Sequence, residues 1–527
     1  MKNRKYLKII PGIVVTVILI AFLTALLGKP WVRNKIGAAF NENNSDYIVT
    51  INKIKTSILP PGMELEGIKI RSKQDYNRII DLNGEIGSIK IKGINLAKAF
   101  FKKDVSIRTI TISESYISGK ISSSGDTIIP IVLPLNMRIG TVVFNKLNLL
   151  VEKSANAGSY MVTDGILRLY DVHSGKQDTL SADIIKLFDF KAKEVLSVSS
   201  DSMYTFKAGD ISYSASSDAL DVNSFSVLPN YPDYDFTSRY DFQTNRIEAG
   251  FSNIHLNHFS FASFLRSGDL ITASIDIGEM DMKVFRDKRK EFRHVNKPAF
   301  QEMIYNYPGV IRIDLISLNK GNAIYTVHDR EANEPGRISF NEIDAAIYNI
   351  TNDSVYRTKN DSLKLAGNAL LMGKGEMTIL LKAALFDSQN RFSLEGTLSG
   401  MEADELNPIL EKNAFIYVVT GKVDSMNFSF MADNIKSSGK LTLLYHGLDI
   451  AVKNKQTDDT TAFRERFISF IANIKVLDSN PIKDKNVREG IIDFERDPER
   501  FLFHYCYRSI LSGITSSLGK TTRGNNN

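Results

Sequence analysis

Seven histidines and one cysteine are few for a chain of 527 residues, and their spacing narrows the possible chemistry further. His255 and His258 lie three apart in an alternating, strand-like stretch, with no acidic or cysteine partner nearby. A zinc site needs more ligands than that, so they read as surface or half-buried histidines. Asp233 and Asp235 in NYPDYDF suggest a calcium loop, but the glycine and closing glutamate of such a loop are missing. A turn between strands is the better reading. His446, His504 and Cys506 have no spacing that argues a catalytic triad, and Cys506 alone permits neither an internal disulfide nor a cysteine metal cluster. The G-x-S-x-G, P-loop, G-x-G-x-x-G and H-E-x-x-H patterns are absent. No catalytic residue, metal ligand or cofactor is therefore assigned, and the expectation is a non-enzyme.

The strongest cluster of one residue class is basic. Arg286, Lys288, Arg289, Lys290 and Arg293 follow an alternating stretch within eight residues. Such a run reads either as the solvated end of a hairpin or as a contact for anionic lipid headgroups, each cation near a membrane contributing about 1 kcal/mol. Nucleic acid is not implied, because the net charge is only +6 and cations are interspersed with acids along the chain. Counted with glycine in place of tyrosine, the apolar share is about 45%, the low edge of the globular range. That excludes both a polytopic membrane protein and a wholly disordered chain.

These residues must be positioned by strands. Val105, Ile107, Ile110 and Ile112 alternate with polar residues, as do Ile275 with Ile277, Met280 with Met282, and Val423, Met426, Phe428 and Phe430. Period two predicts half-buried antiparallel strands. From Leu441 and Leu443 to Ile450 the phase slips by one at His446–Gly447, which requires a bulge or a turn there. A unit of strand, short helix and strand recurs at 86–117, 249–285 and 394–430. Helices are expected at Lys297–Tyr305, at Thr461–Ile474 with Phe463, Phe467 and Phe470 on one stripe, and at Pro498–Leu518. At the N-terminus, Ile9–Gly28 is twenty residues without a charge, enough to cross ~30 Å of hydrocarbon. Lys2, Arg4, Lys5 and Lys8 precede it, predicting a cytoplasmic N-terminus. The run exceeds the apolar core of a signal peptide and no A-x-A site follows, so an uncleaved anchor is expected.

An anchor followed by 49–70 (VTINKIKTSILPPGMELEGIKI) and 105–117 (VSIRTITISESYI) resembles the AsmA-like superfamily of Gram-negative envelope proteins. The strongest likeness is 398–452, which ends in a G-x-L-x-L-x-Y-x-x-L strand pair at Gly439, Leu441, Leu443, Tyr445 and Leu448. The NP at 480–481 and the stretch 494–514 are similar to the tail of its short, DUF748-type relatives. The resemblance implies an inner-membrane anchor and an elongated, lengthwise-curled antiparallel β-sheet in the periplasm. Its apolar groove would carry phospholipid between membranes in outer-membrane biogenesis.

The expected organisation is a cytoplasmic 1–8, an anchor at 9–28, β segments at 29–150, 151–248, 249–393 and 394–497, an amphipathic helix at 498–519 and a disordered tail at 520–527. If some thirty strands present one apolar face, a few short helices cannot cover it, and acyl chains become its occupants. Candidate groove residues are Ile107, Ile110, Ile112, Ile275, Ile277, Met280, Met282, Met426, Phe428, Leu441 and Leu443. The alternative is a structural factor that assembles outer-membrane proteins through exposed strand edges.

Overall fold

The structure is a computed structural model, and it describes residues 47–58, 60–73, 80–95, 105–121, 131–132, 137–153, 158–174, 179–180, 187–356, 362–452, 474–483 and 485–521. The expected anchor at 9–28 and all but the ends of the expected helix at 461–474 and of the expected tail at 520–527 lie outside these residues; Ile474, Lys520 and Thr521 are described, and they are strand rather than helix or disordered tail. Among the described residues no helix is long and apolar enough to cross a membrane. The chain is mainly β and falls into two compact units, one running through Asn230 with Asn257–Arg266 added, the other holding Tyr231–Leu256 and Ser267 onward.

In the first unit the strands are β1 (Tyr47–Ile58), β2 (Pro61–Ser72), β3 (Ile80–Ile94), β4 (Val105–Ile121), the two-residue β5 (Ile131–Val132) and β6 (Met137–Lys153). They continue with β7 (Ser159–Ser174), the two-residue β8 (Thr179–Leu180), β9 (Leu187–Val198), β10 (Tyr204–Ser214) and β11 (Ala219–Pro229). β5 and β8 pair with each other. The other nine form a sheet in chain order, antiparallel except for the parallel pair β4–β6. The sheet is not closed, and among the described residues β1 pairs with β2 alone. Ile68, Ile91, Ile107 and Ile139 lie at the heart of its buried cluster.

The second unit begins with α1 (Asp233–Ser238), so Asp233 and Asp235 open a short helix rather than a turn between strands. β12 (Asn245–Asn257), α2 (Phe261–Ser267), β13 (Leu270–Asp287), α3 (Phe300–Tyr305), β14 (Ile311–His328), β15 (Gly336–Thr351), β16 (Ser362–Leu371) and β17 (Gly375–Ala384) follow, α2 falling almost wholly in the first unit. Next come β18 (Phe392–Glu402), α4 (Asn407–Asn413), β19 (Ile416–Ala432), β20 (Lys436–Val452), β21 (Ile474–Val476), β22 (Glu489–Glu495), α5 (Leu502–Leu518) and β23 (Gly519–Thr521). Pairing runs in order from β13 to β20 and then to β22, with β13–β14 parallel and the rest antiparallel. β12 reaches β13 through Lys283 and Glu248, 3.6 Å apart.

Two expectations are corrected here. Among the described residues eighteen strands of ten to eighteen residues and one of seven take the place of some thirty, because long strands use the chain faster than average ones. The two parallel pairs replace hairpins, and parallel neighbours require a crossover. Residues 288–310, which carry α3, make that crossover from β13 to β14. Of the expected helices, those at Lys297–Tyr305 and Pro498–Leu518 are present but begin later. α3 starts at Phe300, its first turn held by Glu302 Oε2 accepting the Ala299 N–H at 3.0 Å. α5 starts at Leu502 because Asp497 first closes a turn: its carbonyl accepts the Arg500 N–H at 3.1 Å and its carboxylate the Glu499 N–H at 2.9 Å.

One feature recurs across the first sheet. The register passes over Asn52 and Gly67 between β1 and β2, then Gly87, Glu114, Lys146, Asp164, Lys193, Asp210 and Asn223 on successive strands. Backbone φ is positive at Gly67, Glu114, Lys146, Asp164 and Asp210, between 47° and 62°. Each strand changes phase at this line: Met63 and Leu65 are buried before it on β2, Ile68 after it, so the apolar side chains stay on one face. In the second unit the slip expected at His446–Gly447 is present, with Gly447 at φ 65° and the β19–β20 register shifting from Thr420–Asp449 to Lys422–His446.

Gly447 would meet nothing within 4 Å if given a side chain, so its φ is the sole obstacle to substitution. Gly447→Ala is expected to lower unfolding stability by about 1 kcal/mol, and Gly447→Asn by less, in denaturant titration. Equal stability of Gly447→Ala and wild type would remove backbone strain as the reason for glycine there.

Candidate functional site

The candidate groove residues occupy three settings. Ile107 and Ile110, 2% and 5% exposed, sit inside the buried cluster of the first unit, with Ile112 packed against it. Met426, Phe428, Leu441 and Leu443 are buried in the second unit, in a cluster with Ile492, Tyr505 and Leu518. What covers them is α5. Gly490 on β22 and Gly513 on α5 bring helix and sheet together so closely that a side chain on Gly513 would sit 2.7 Å from Ile492 and 2.9 Å from Leu441. The apolar face of β19, β20 and β22 therefore meets protein.

Ile275, Ile277, Met280 and Met282 differ. All four are half-buried and belong to neither buried cluster. They change from odd to even numbering at Gly278–Glu279, and β14 slips beside them, Asn319 and Lys320 both being exposed. The slip keeps them together: the space beside Gly321 is bounded by Leu318, Ile343 and the Met280 methyl. An apolar strip thus continues over β13 to β15; among the described residues no helix as long as α5 lies on it, although the short α3 and α4 meet β15.

The basic run leaves β13 where the crossover begins, not at a hairpin end. Arg286 is held by Gln243 Oε1, 3.2 Å from Nη2, and Asn245 Oδ1, 3.3 Å from Nη1. Lys288 lies 3.8 Å from Asp329. Arg289 grips Asp287 with two bonds of 2.9 and 2.8 Å; burial alone would raise the Asp287 carboxyl, but these bonds hold it below its ordinary value. Lys290 Nζ donates to Tyr240 O at 2.9 Å, and Arg293 lies 5.8 Å from the Phe242 ring centre. Of the five, Arg289, Lys290 and Arg293 serve local structure, whereas Arg286 and Lys288 face a group that sequence reasoning missed: Arg500, His504, Arg508, Tyr325 and Tyr507. Four-residue spacing from Arg500 to Arg508 was the available signal, but it lies some two hundred residues away in the chain.

Burial, then Arg508, Arg500 and Lys288, push the His504 imidazole down to about 4. Burial likewise lowers Arg508, to about 10, with Arg500 adding repulsion, and raises the Cys506 thiol to about 12, so that Cys506 is an inert packed group at neutral pH.

Other marked residues are structural. Tyr445 and Asn480, both from the resembling segments, exchange backbone bonds of 3.1 and 2.8 Å, and Arg488 donates to the Tyr445 hydroxyl at 3.1 Å. His255 lies on β12, and His258 follows it at φ 51° on the way into α2. An open recess of about 570 Å³ between α1, β12 and β13 has a mixed lining: Val284, Phe285 and Ile324 border it beside Arg246, which stands 3.3 Å from Asp233 and 3.0 Å from Glu248. Among the described residues no three His, Cys, Asp or Glu side chains gather as a metal site. No protein-family model and no curated protein matches this chain.

The His504 value fixes a pH dependence. An imidazole that titrates near 6.5 unfolded and near 4 folded favours the unfolded chain once protonated. Its contribution is fully present above about pH 6.5 and is lost as pH falls toward about 4. His504→Gln is expected to flatten the fall in denaturation midpoint over that window, measured beside wild type at each pH. Identical pH profiles would show that His504 titrates normally.

Proposed function

We propose that this chain is a non-enzymatic, AsmA-like envelope protein that shelters phospholipid acyl chains along a lengthwise-curled apolar β groove. Ile9–Gly28 anchors it in the inner membrane by a single span, with the N-terminus cytoplasmic and the bulk periplasmic. The observation that carries the reading is the half-buried strip of Ile275, Ile277, Met280 and Met282, outside either buried cluster, on a sheet whose neighbouring apolar face is sealed by α5. A strip of that kind gains free energy when an apolar chain covers it, at about 25 cal/mol per Å² removed from water. Acyl chains suit it better than a folded partner, because long strands offer a continuous track rather than a pocket. Arg286 and Lys288, at the end of the same strand, favour a headgroup of negative charge there.

Site-specific photo-cross-linking separates the settings. A photoreactive side chain at Met280 is expected to yield phospholipid adducts in cells, while one at Leu441, beneath α5, yields none. Adducts to proteins alone at Met280 would turn the reading toward an assembly factor for outer-membrane proteins. No lipid adduct at Met280, Ile275 or Ile277 would overturn it.

A further inference from the structure

Two basic stretches distant in sequence meet where β13 ends and α5 begins. Arg286 lies on β13 and Lys288 just past its end, where the Lys288 N–H donates to His328 O at 2.9 Å. His504 and Arg508, four apart, share a side of α5, and Arg500 stands in the turn just before it. The crossover is pinned between them: His294 Nδ1 lies 3.0 Å from Glu499 Oε2, the Lys297 N–H donates to Pro498 O at 2.7 Å, and the Arg500 guanidinium lies 3.6 Å over the Phe292 ring. Arg508, 9% exposed, stands 5.2 Å over Phe494.

Like charges dominate this meeting point. Arg286, Lys288, Arg500 and Arg508 repel one another. Among the described residues Asp329 stands 3.8 Å from Lys288 and Asp497 3.6 Å from Arg500, both beyond hydrogen-bond length. Among the described residues Arg500 Nε and His504 Nδ1 are buried without a hydrogen-bond partner. Tyr325 and Tyr507 feel the same guanidinium groups, so two hydroxyls border the cluster. Half-buried like charges and buried unfilled donors are expensive unless an anion joins them.

We propose that Arg286, Lys288, Arg500, His504 and Arg508 form a binding site for a phosphate group. Phosphate supplies several acceptor oxygens and at least one negative charge, which matches guanidinium forks and an ammonium converging from two elements. Chloride offers charge without directed acceptors and fits less well. The group is a free phosphate ion or the phosphodiester of a lipid headgroup; only the second source rests on the lipid reading above.

The test titrates the full-length protein in detergent with inorganic phosphate, at ionic strength held constant with chloride. Phosphate is expected to raise the unfolding temperature above that in chloride. Lys288→Gln, whose side chain is 37% exposed, and Arg500→Gln are expected to weaken phosphate binding about tenfold or more. Arg138→Gln, an exposed residue of the first unit paired with Asp171, is expected to leave it unchanged. Should Arg500→Gln fail to fold, Lys288→Gln and Arg286→Gln carry the test. Glycerophosphoglycerol competing as well as phosphate identifies the lipid headgroup, and phosphate alone binding identifies the free ion; either supports the site. No stabilisation beyond chloride, or equal binding by wild type and the folded variants, overturns it. Neither result depends on acyl-chain adducts at Met280, so failure of this site and failure of the lipid reading are separate outcomes.

Discussion

Side-chain alternation with a period of two is the constraint on which this molecule depends. A strand of ten to eighteen residues cannot stay straight and flat for its whole length, yet each bend threatens to turn its apolar side outward. The first unit resolves this with a line of phase slips that crosses nine strands, from Asn52 to Asn223, and with a shorter second line through Gly93, Arg108, Gly140 and Asp171. One extra residue on each strand points outward, the strand bends, and the apolar series resumes on the same face. Glu114, Lys146, Asp164 and Asp210 adopt positive φ to do so, at an energetic penalty of order 1 kcal/mol each. A row of such residues persists because the ladders on both sides hold it in place. Glu114 and Lys146, neighbours in that row, also approach to 3.6 Å as an exposed ion pair of small worth.

Keeping one face apolar over so many strands creates the second problem, which is how to cover it. Over β20 and β22 the answer is α5, seated by the glycine pair Gly490 and Gly513 and by the buried Ser437–Ser509 hydrogen bond of 2.7 Å. Leu441, 1% exposed, and Ile492, fully buried, are the centre of that contact. Over β13 the face is only half-buried. The same helix that seals one stretch brings Arg500 and Arg508 to the end of the other, so packing and charge are joined through α5. A lipid would satisfy both, its chains on the strip and its phosphate at the cations, and that economy is the strength of the proposed function.

Much of this was legible in the chain. The phase slip at His446–Gly447 follows from Leu443, Leu448 and Ile450 alone, and the C-terminal helix from its apolar spacing. The slip line was not, because glutamate, lysine and aspartate carry no signal for positive φ in the way glycine does; only Gly67 and Gly87 hinted at it. Strand direction was equally hidden: Val105–Ile112 alternates the same way whether its neighbour is parallel or antiparallel, and only the long connections after Ile121 and Asp287 distinguish them. The basic run at 286–293 was visible, but which of its cations are used locally was not. Arg289 and Lys290 find their partners within the surrounding turns, whereas Arg286 and Lys288 depend on residues far along the chain.

The central claim is that the strip on β13 is an apolar surface completed by lipid. It is tested most directly by extracting the full-length protein, purified in mild detergent without added lipid, and quantifying phospholipid per chain by mass spectrometry. The account predicts at least about one phospholipid per protein, reduced when Ile275, Ile277 and Met280 are all replaced by asparagine. A wild-type protein free of phospholipid under conditions that retain its fold would contradict it.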